Sequence, residues 1–309
     1  MNLKRYYNQN RKKVNGILII IISAFLLFRL SAYIYHETRK SANQKSNITQ
    51  EINHTNSTKL TNTQSAVTGN EIANTQLNTA TKIIDQFLSY CNQKDLQKAY
   101  HLLTEECKTQ NYPSLEDFEQ SYYNDVFGGE TRRCTVENWV NNIYRVKITE
   151  DILATGKSNN GYAKQDYITV KKVEDGYKLN INHYIGYTEI NQKTEQHNIE
   201  MEVIGKNTYM DYEEYTIKIT NHTESLILLD RRVETKTLYL EDQNQVKYDS
   251  DTQELTNSML NVRAGETREI SLKFFSPYVS TKRIKAIVFS DLMLYQGQLS
   301  ERVQFRIEI

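Results

Sequence analysis

Tyr215-Thr-Ile-Lys-Ile-Thr-Asn221 carries apolar side chains at 215, 217 and 219 and polar ones between them. A two-residue period puts alternate side chains on opposite faces, so this is a strand with one face in a core and the other in water. Upstream, Ile199, Met201 and Val203 alternate with Glu200 and Glu202 in the same way. Downstream come Leu238/Leu240, Ile270/Leu272/Phe274 and Val303/Phe305/Ile307/Ile309, with Ile284–Phe289 as a denser run suited to a more buried strand. Asn221-His-Thr, Asp242-Gln-Asn and Ala264-Gly-Glu supply turn chemistry between them. About seven short strands without an amphipathic helix predict an all-β, two-sheet sandwich over residues 191–309.

Residues 77–190 read differently. Ile83, Ile84, Phe87, Leu88 and Cys91 form a helical stripe, and Asp95 caps a second helix with Leu96, Ala99, Tyr100, Leu103 and Cys107 on one side. Asn111-Tyr-Pro-Ser114 breaks it, and Ser114 with Asp117 opens a third helix carrying Leu115, Phe118 and Tyr122. After Gly128-Gly129 the period shortens to two: Tyr144, Val146 and Ile148 alternate with Arg145 and Lys147. Asn160-Gly161 and Asp175-Gly176 are hairpin dipeptides between strand-like runs. Helices followed by an antiparallel meander predict an α+β cone, with helices packed on a curved antiparallel sheet.

The order of these elements, with Ile83-Ile84-x-x-Phe87 and Asp95-Leu-Gln-Lys-Ala-Tyr100-x-Leu-Leu103, resembles the nuclear-transport-factor-2-like superfamily. Ile148–Gly156, Asp166-Tyr-Ile-Thr-Val170 and Gly176-Tyr-Lys-Leu-Asn-Ile181 are similar to the sheet half of its membrane-anchored bacterial members. The resemblance implies a pocket inside the cone, where some members do acid–base chemistry with an Asp, His or Tyr and others bind a ligand or a protein. The polar residues it nominates here are Tyr100, Tyr123, Asp166 and His183. None lies in a catalytic motif. Tyr100 sits on an apolar stripe, Asp166 alternates with Tyr167 on a strand face that suits water, and His183 is near the domain exit. In the sandwich, Tyr215–Asn221, the Tyr239-Leu-Glu-Asp242 strand end and Val262-Arg-Ala-Gly-Glu266 before Leu272-Lys-Phe274 resemble immunoglobulin-like domains of bacterial surface proteins, whose members mostly bind or space.

At the other end, Lys4, Arg5, Arg11, Lys12 and Lys13 precede the apolar run from Gly16 to Phe28, which continues past Arg29 to Tyr33 and Tyr35. A spanning helix needs about 20 apolar residues, so 14–35 reads as a single transmembrane anchor whose Arg29 reaches the headgroups along its stem and whose Tyr33 sits in the interfacial belt. The run also suits a cleaved signal peptide, but no small-x-small site follows it. The basic excess ahead of the span places residues 1–13 in the cytoplasm and the remainder outside. Residues 36–76, rich in Asn, Thr, Ser and Gln, read as a disordered linker.

The formal net charge of zero is a sum of unlike parts. Residues 1–45 hold nine Lys/Arg and one acidic residue, which leaves 29 basic against 37 acidic in the remainder. An acidic body excludes the electrostatic footprint of a nucleic-acid binder. Arg231-Arg232 and Lys282-Arg283 read as solvated loop charge. Three cysteines, Cys91, Cys107 and Cys134, make neither a disulfide framework nor a Cys-x-x-Cys metal site. Cys91 reads as a small buried hydrophobe, with a Cys91–Cys107 bridge as the alternative. No metal or other cofactor is expected.

The chain therefore reads as a non-enzymatic, single-pass envelope adaptor or scaffold, held by membrane lipid and bound to another envelope protein of transfer, secretion or cell-wall machinery. The alternatives are a sensor taking a small ligand or wall fragment in the cone pocket, and an enzyme of isomerase or dehydratase type.

Overall fold

The computed structural model describes residues 59–60, 63–151, 162–231, 236–253, 255–296 and 299–309. The tail 1–13, the anchor 14–35 with Gly16, Phe28, Arg29 and Tyr33, and the Asn160-Gly161 turn lie outside the described residues. Among the described residues no helix is long and apolar enough to cross a membrane. The fold is mostly β, made of antiparallel sheets, one of them curled into a half-barrel.

The helical stripes form as their spacing predicts. Helix α1 (Asn74–Asn92) buries Leu77, Ala80, Ile84, Phe87, Leu88 and Cys91. The second stripe is two helices, not one: α2 (Leu96–His101), capped by Asp95, and α3 (Glu105–Asn111), capped by Thr104. The break has a cause in the sheet. The Thr104 N–H donates to the Leu179 carbonyl at 3.0 Å and the Leu179 N–H to the Leu102 carbonyl at 2.9 Å, so strand pairing takes the backbone groups a continuous helix would use. Ser114 and Asp117 form a reciprocal capping box at the start of α4 (Leu115–Phe118). A π-helical turn (Glu119–Tyr123) and α5 (Asn124–Val126) follow, and together they bury Phe118, Tyr122, Tyr123 and Val126. Leu115 stays exposed.

These helices pack on a five-stranded sheet in the order β1-β2-β3-β4-β5: β1 (Lys59–Leu60), β2 (Arg132–Val140), β3 (Ile143–Glu150), β4 (Ala163–Val173) and β5 (Gly176–Asn180). All pairings are antiparallel except β1 with β2, which is parallel. That pairing corrects the expectation of an unstructured linker through residue 76. Lys59 and Leu60 face Thr135 and Val136 in the ladder, the Ser65 hydroxyl donates to the Trp139 carbonyl at 2.7 Å, and Ile72 packs on the core. The polar composition of this segment hid its role, which rests largely on backbone pairing.

The second half has two sheets. One runs β13-β8-β7-β6, from β6 (Tyr184–Gln196), β7 (Ile199–Tyr209), β8 (Glu213–Asn221) and β13 (Thr267–Phe274). The other is built on β14 (Ile284–Gln296). Strand β15 (Leu299–Glu308) lies along one side of it, and β10 (Leu238–Asp242) and β9 (Ile227–Leu228) share the other. Strand β11 (Lys247–Asp249) extends β10, and β12 (Asn261–Val262), after the single turn α6 (Asn257–Leu260), extends β9. One apolar cluster joins the sheets face to face, with Met201, Ile217 and Leu272 from the first and Leu240, Phe289 and Phe305 from the second. The dense run in β14 is buried on both faces: Ile287 and Phe289 enter this core, while Ala286 and Val288 pack with Tyr239.

The expected boundary at 190/191 falls inside β6, so no linker separates the two halves. Tyr184 at one end of β6 and Tyr209 at one end of β7 belong to the helix-and-sheet core, whereas Ile199, Met201 and Val203 belong to the sandwich core. Register shifts between Glu189 and Gln192 in β6 and between Val203 and Gly205 in β7 bend this ribbon as it passes from one core to the next. A smaller cluster, in which Val140, Ile143 and Met210 pack with Trp139, Tyr167 and Tyr278, closes the seam.

Candidate functional site

Asp166 lies on β4 and is fully buried, which corrects the expectation that its strand face meets water. Its Oδ2 accepts from the Tyr122 hydroxyl at 3.0 Å and from the Asn182 N–H at 3.1 Å, and its Oδ1 accepts from the His183 N–H at 3.0 Å. Asn182 and His183 both have positive φ, 57° and 66°, so the carboxylate pins a left-handed turn that ordinary side chains disfavour. Burial raises the Asp166 carboxyl above the usual range, against the pull of those N–H groups and of His183. Burial likewise pushes the Tyr122 phenol well up, with Asp166 adding to it. The π-helical turn supplies Tyr122; its partnership with Asp166 spans 44 positions in sequence, and only its place on an apolar stripe hinted at it.

The other nominated residues do not converge with Asp166 on one cavity. The backbone of His183 meets Asp166, but its imidazole turns outward, with Nδ1 3.1 Å from Asp211 Oδ2 and the ring set edge-to-face on Tyr167. Tyr100 donates its hydroxyl to the Tyr112 carbonyl at 2.8 Å and so ties α2 to the end of α3. Tyr123 is buried and stacked on Phe127 with ring centroids 5.5 Å apart. The interior of the half-barrel, where the resemblance puts a pocket, is filled by Phe87, Tyr112, Phe118 and Tyr122 in mutual ring contact.

A cleft of about 420 Å³ opens elsewhere, between the first turns of α1 and the far ends of β3, β4 and β5. Thr75, Gln76, Thr79 and Ala80 form its helix side, and Asn142, Tyr144, Val170, Lys172 and Tyr177 its sheet side. None of the four nominated residues lines it. The Asn142 side-chain amide donates to the Val170 carbonyl at 3.0 Å, which leaves its carbonyl oxygen for the cleft. The Tyr144 side chain is fully buried, and its hydroxyl makes no hydrogen bond of good geometry, although the Asn138 and Gln76 side chains lie within its reach. Directly across the ladder, Asn138 Oδ1 also lacks a partner. Burial raises the Tyr144 phenol, with the nearby Asn138 and Gln76 side chains pulling the other way. The sequence marked Tyr144 only as an inward-facing strand residue, and no local signal distinguished it.

The sandwich buries its charges at its edges. Asp291, fully buried in the bulge between Phe289 and Leu292, accepts two contacts from Arg231 Nε at 3.0 and 2.9 Å and one from Arg302 Nε at 2.9 Å. Arg231 is therefore no solvated loop charge; it neutralises a buried carboxylate. Arg232 lies outside the described residues. Lys282 also departs from that expectation. It donates to the Ser276 hydroxyl and the Pro277 carbonyl, both at 2.6 Å, and burial lowers its ammonium. Ser276 in turn leads to Glu213, which pairs with Lys206 at 2.8 Å.

Cys91, Cys107 and Cys134 are all buried free thiols, and burial pushes Cys107 up to about 12. Among the described residues no group of three or more His, Cys, Asp or Glu side chains is placed to hold a metal ion. No protein-family model, no curated protein and no solved structure matches the chain, so what it does is read from its own geometry.

Proposed function

We propose that this protein is a non-enzymatic adaptor, anchored in the cell membrane by residues 14–35 with residues 1–13 in the cytoplasm, and that residues 59–309 present an extracytoplasmic binding platform to another envelope protein. Its helix-and-sheet half is taken as a nuclear-transport-factor-2-like cone and its second half as an immunoglobulin-like sandwich. Three helical stripes followed by a curled antiparallel sheet support the first assignment, and two sheets facing across one aliphatic core support the second.

The observation that carries the adaptor reading is the seam. Strands β6 and β7 run from one core into the other without a linker, which makes the two halves one rigid presenting surface and not two independent modules. Catalysis by Asp166 gains no support from its surroundings: all three of its hydrogen bonds hold the fold, and it does not line the cleft.

Protease added to intact protoplasts tests the topology and should remove residues 59–309. Survival of the C-terminal sandwich under that treatment would overturn it. Photo-crosslinking in living cells from exposed seam positions should then yield one discrete product containing an envelope protein, and its absence from every seam position would count against the adaptor role.

A further inference from the structure

The segment from Phe275 to Arg283, which joins β13 to β14, is tied to the body through its inward side chains and its backbone. The Phe275 N–H donates to the Asp249 carbonyl at 2.9 Å and the Tyr278 N–H to the Met210 carbonyl at 2.8 Å. The Ser276 hydroxyl is buried against Glu213, and the Tyr278 ring packs into the seam cluster. The Lys282 ammonium donates to the Ser276 hydroxyl and the Pro277 carbonyl, which fixes the turn. With Ser276 and Tyr278 turned inward, Phe275, Pro277 and Val279 are left outward. Phe275 is 54% and Val279 53% exposed, and Pro277 is exposed with them. The outward row is therefore wholly apolar, and the chain's own contacts hold it in place.

Single exposed apolar side chains, such as Leu115 and Leu226, need no partner to explain them. Here three stand in one row, beside unbalanced positive charge. Between Glu269 and Asp291 the sequence holds Lys273, Lys282, Arg283 and Lys285 and no acidic residue, although the chain outside residues 1–45 is acidic. Asp251 answers Lys273 at 3.5 Å, and the turn engages Lys282. Arg283 and Lys285 are exposed, and among the described residues neither pairs with a carboxylate. The backbone of Arg283 is itself fixed: its N–H donates to Gln243 Oε1 at 2.7 Å and its carbonyl accepts from the Gln243 N–H at 3.0 Å.

We infer that this segment docks on an anionic lipid bilayer, with Phe275 and Val279 entering the boundary between headgroups and acyl chains and Arg283 and Lys285 meeting lipid phosphates. Apolar side chains flanked by cations bind such an interface through buried apolar area and attraction to anionic lipid together. Side chains more than half exposed form no pocket, and a bilayer requires none, whereas the anchors of a protein interface are seated in one. A nucleic acid would use the two cations and leave the apolar row in water. The inference rests on the anchor reading for the nearness of a bilayer. On that reading residues 36–58 separate Tyr35 from β1, and fully extended they reach about 80 Å, so the segment can come down on the membrane that holds the chain.

Spin labelling of the full-length chain, reconstituted in vesicles of phosphatidylglycerol or of phosphatidylcholine, tests it. Val279→Cys supplies the labelling site, since Cys91, Cys107 and Cys134 are buried. In phosphatidylglycerol the label should gain access to oxygen and lose access to a water-soluble nickel chelate; in phosphatidylcholine it should stay open to the chelate. Each cation favours docking on an anionic surface by roughly fivefold, so Arg283→Gln combined with Lys285→Gln should lower the ratio of docked to free label about twentyfold. Phe275→Ser should lower it as well and leave the melting temperature unchanged, because the side chain is exposed. A label open to the chelate in both lipids overturns the inference, as does indifference to the loss of both cations. A label shielded from oxygen and chelate alike means that protein, a second copy where the spins broaden one another, covers the row, and it too overturns the inference. Failure of the chain to stay with the vesicles sinks the anchor reading instead, and the same label with vesicles added from outside then still decides whether the segment docks.

Discussion

In the helix-and-sheet half, the buried carboxylate of Asp166 is met by a phenol and two backbone N–H groups, all neutral. In the sandwich, the buried carboxylate of Asp291 is met by two guanidinium groups. Both satisfy an acceptor that burial would otherwise penalise, but they leave different residues of charge behind. Neutral donors balance hydrogen bonds without balancing charge, so desolvation still acts on Asp166 and raises its pKa. The contrast extends through the cores. Aromatic rings and tyrosine hydroxyls fill the first, aliphatic strand residues the second. The first half thus keeps polar groups inside, while the second confines its charges to bulges and strand ends around an apolar interior.

The largest effect should come from Asp291→Ala, which removes the buried carboxylate that the Arg231 and Arg302 guanidinium groups converge on. Breaking a buried pair costs about 3–5 kcal/mol, and the partial exposure of Arg231 and Arg302 places this one near the lower end, about 3 kcal/mol in urea unfolding. A loss below about 1 kcal/mol would erase the distinction between the two carboxylates.

Next is the ribbon that joins the halves. A Cβ on Gly205 would stand 2.8 Å from the Thr188 carbonyl oxygen and would collide with the hydroxyl end of Tyr187. Gly205→Ala should therefore destabilise by about 2 kcal/mol. Adding Tyr187→Ala relieves the ring clash and leaves the backbone one, so the double variant should recover part of the loss and not all of it. Because both cores share β6 and β7, fluorescence and circular dichroism should report one coincident unfolding transition in the wild type, and two separated transitions would break the picture of one rigid body.

Asp166→Asn should destabilise by about 1–2 kcal/mol, since its NH2 must face the Asn182 or the His183 N–H, donor against donor. The raised native pKa means that the folded chain holds this proton more tightly than the unfolded one. The stability this lends is fully present below the unfolded value near 3.8 and is lost as pH rises through the native value. The wild-type advantage over Asp166→Asn should therefore shrink as pH rises above 3.8. A gap that widens over that range would mean the N–H donors outweigh desolvation.

The smallest effect concerns the thiols. Cys107, pushed up to about 12 by burial, should resist iodoacetamide at pH 8 in the folded protein and react after denaturation. Rapid labelling of the native protein would show that the aromatic core opens more readily than its packing implies.

Much of the architecture was legible because it rests on local rules. The stripe Ile84-Phe87-Leu88-Cys91 makes a helix wherever an apolar partner exists, and the alternation in Ile199–Val203 and Tyr215–Ile219 commits both segments to strands with one buried face. Asp95 and Ser114 cap helices through contacts three residues away, so their roles show in the order of residues. The break at Thr104 did not show, because it depends on Leu179, which is remote in sequence. The pairing of Lys59–Leu60 was hidden for the same reason, within a stretch whose composition reads as unstructured. Of the nominated site residues, Asp166 proved special, but as a buried clamp on a turn; the cleft is lined by side chains that looked ordinary one at a time.

By itself the sequence determined the period of each segment, its caps and turns, the sign of charge along the chain, and hence two cores of different kind, because these follow from contacts within a few residues. Only the tertiary structure decided that β6 and β7 serve both cores, that Arg231 answers Asp291 across 60 positions, and that the buried phenol of Asp166's partner Tyr122 comes from a turn 44 positions away. Those outcomes depend on which distant groups burial brings together, and the energy of a buried polar atom is set by its neighbours in space.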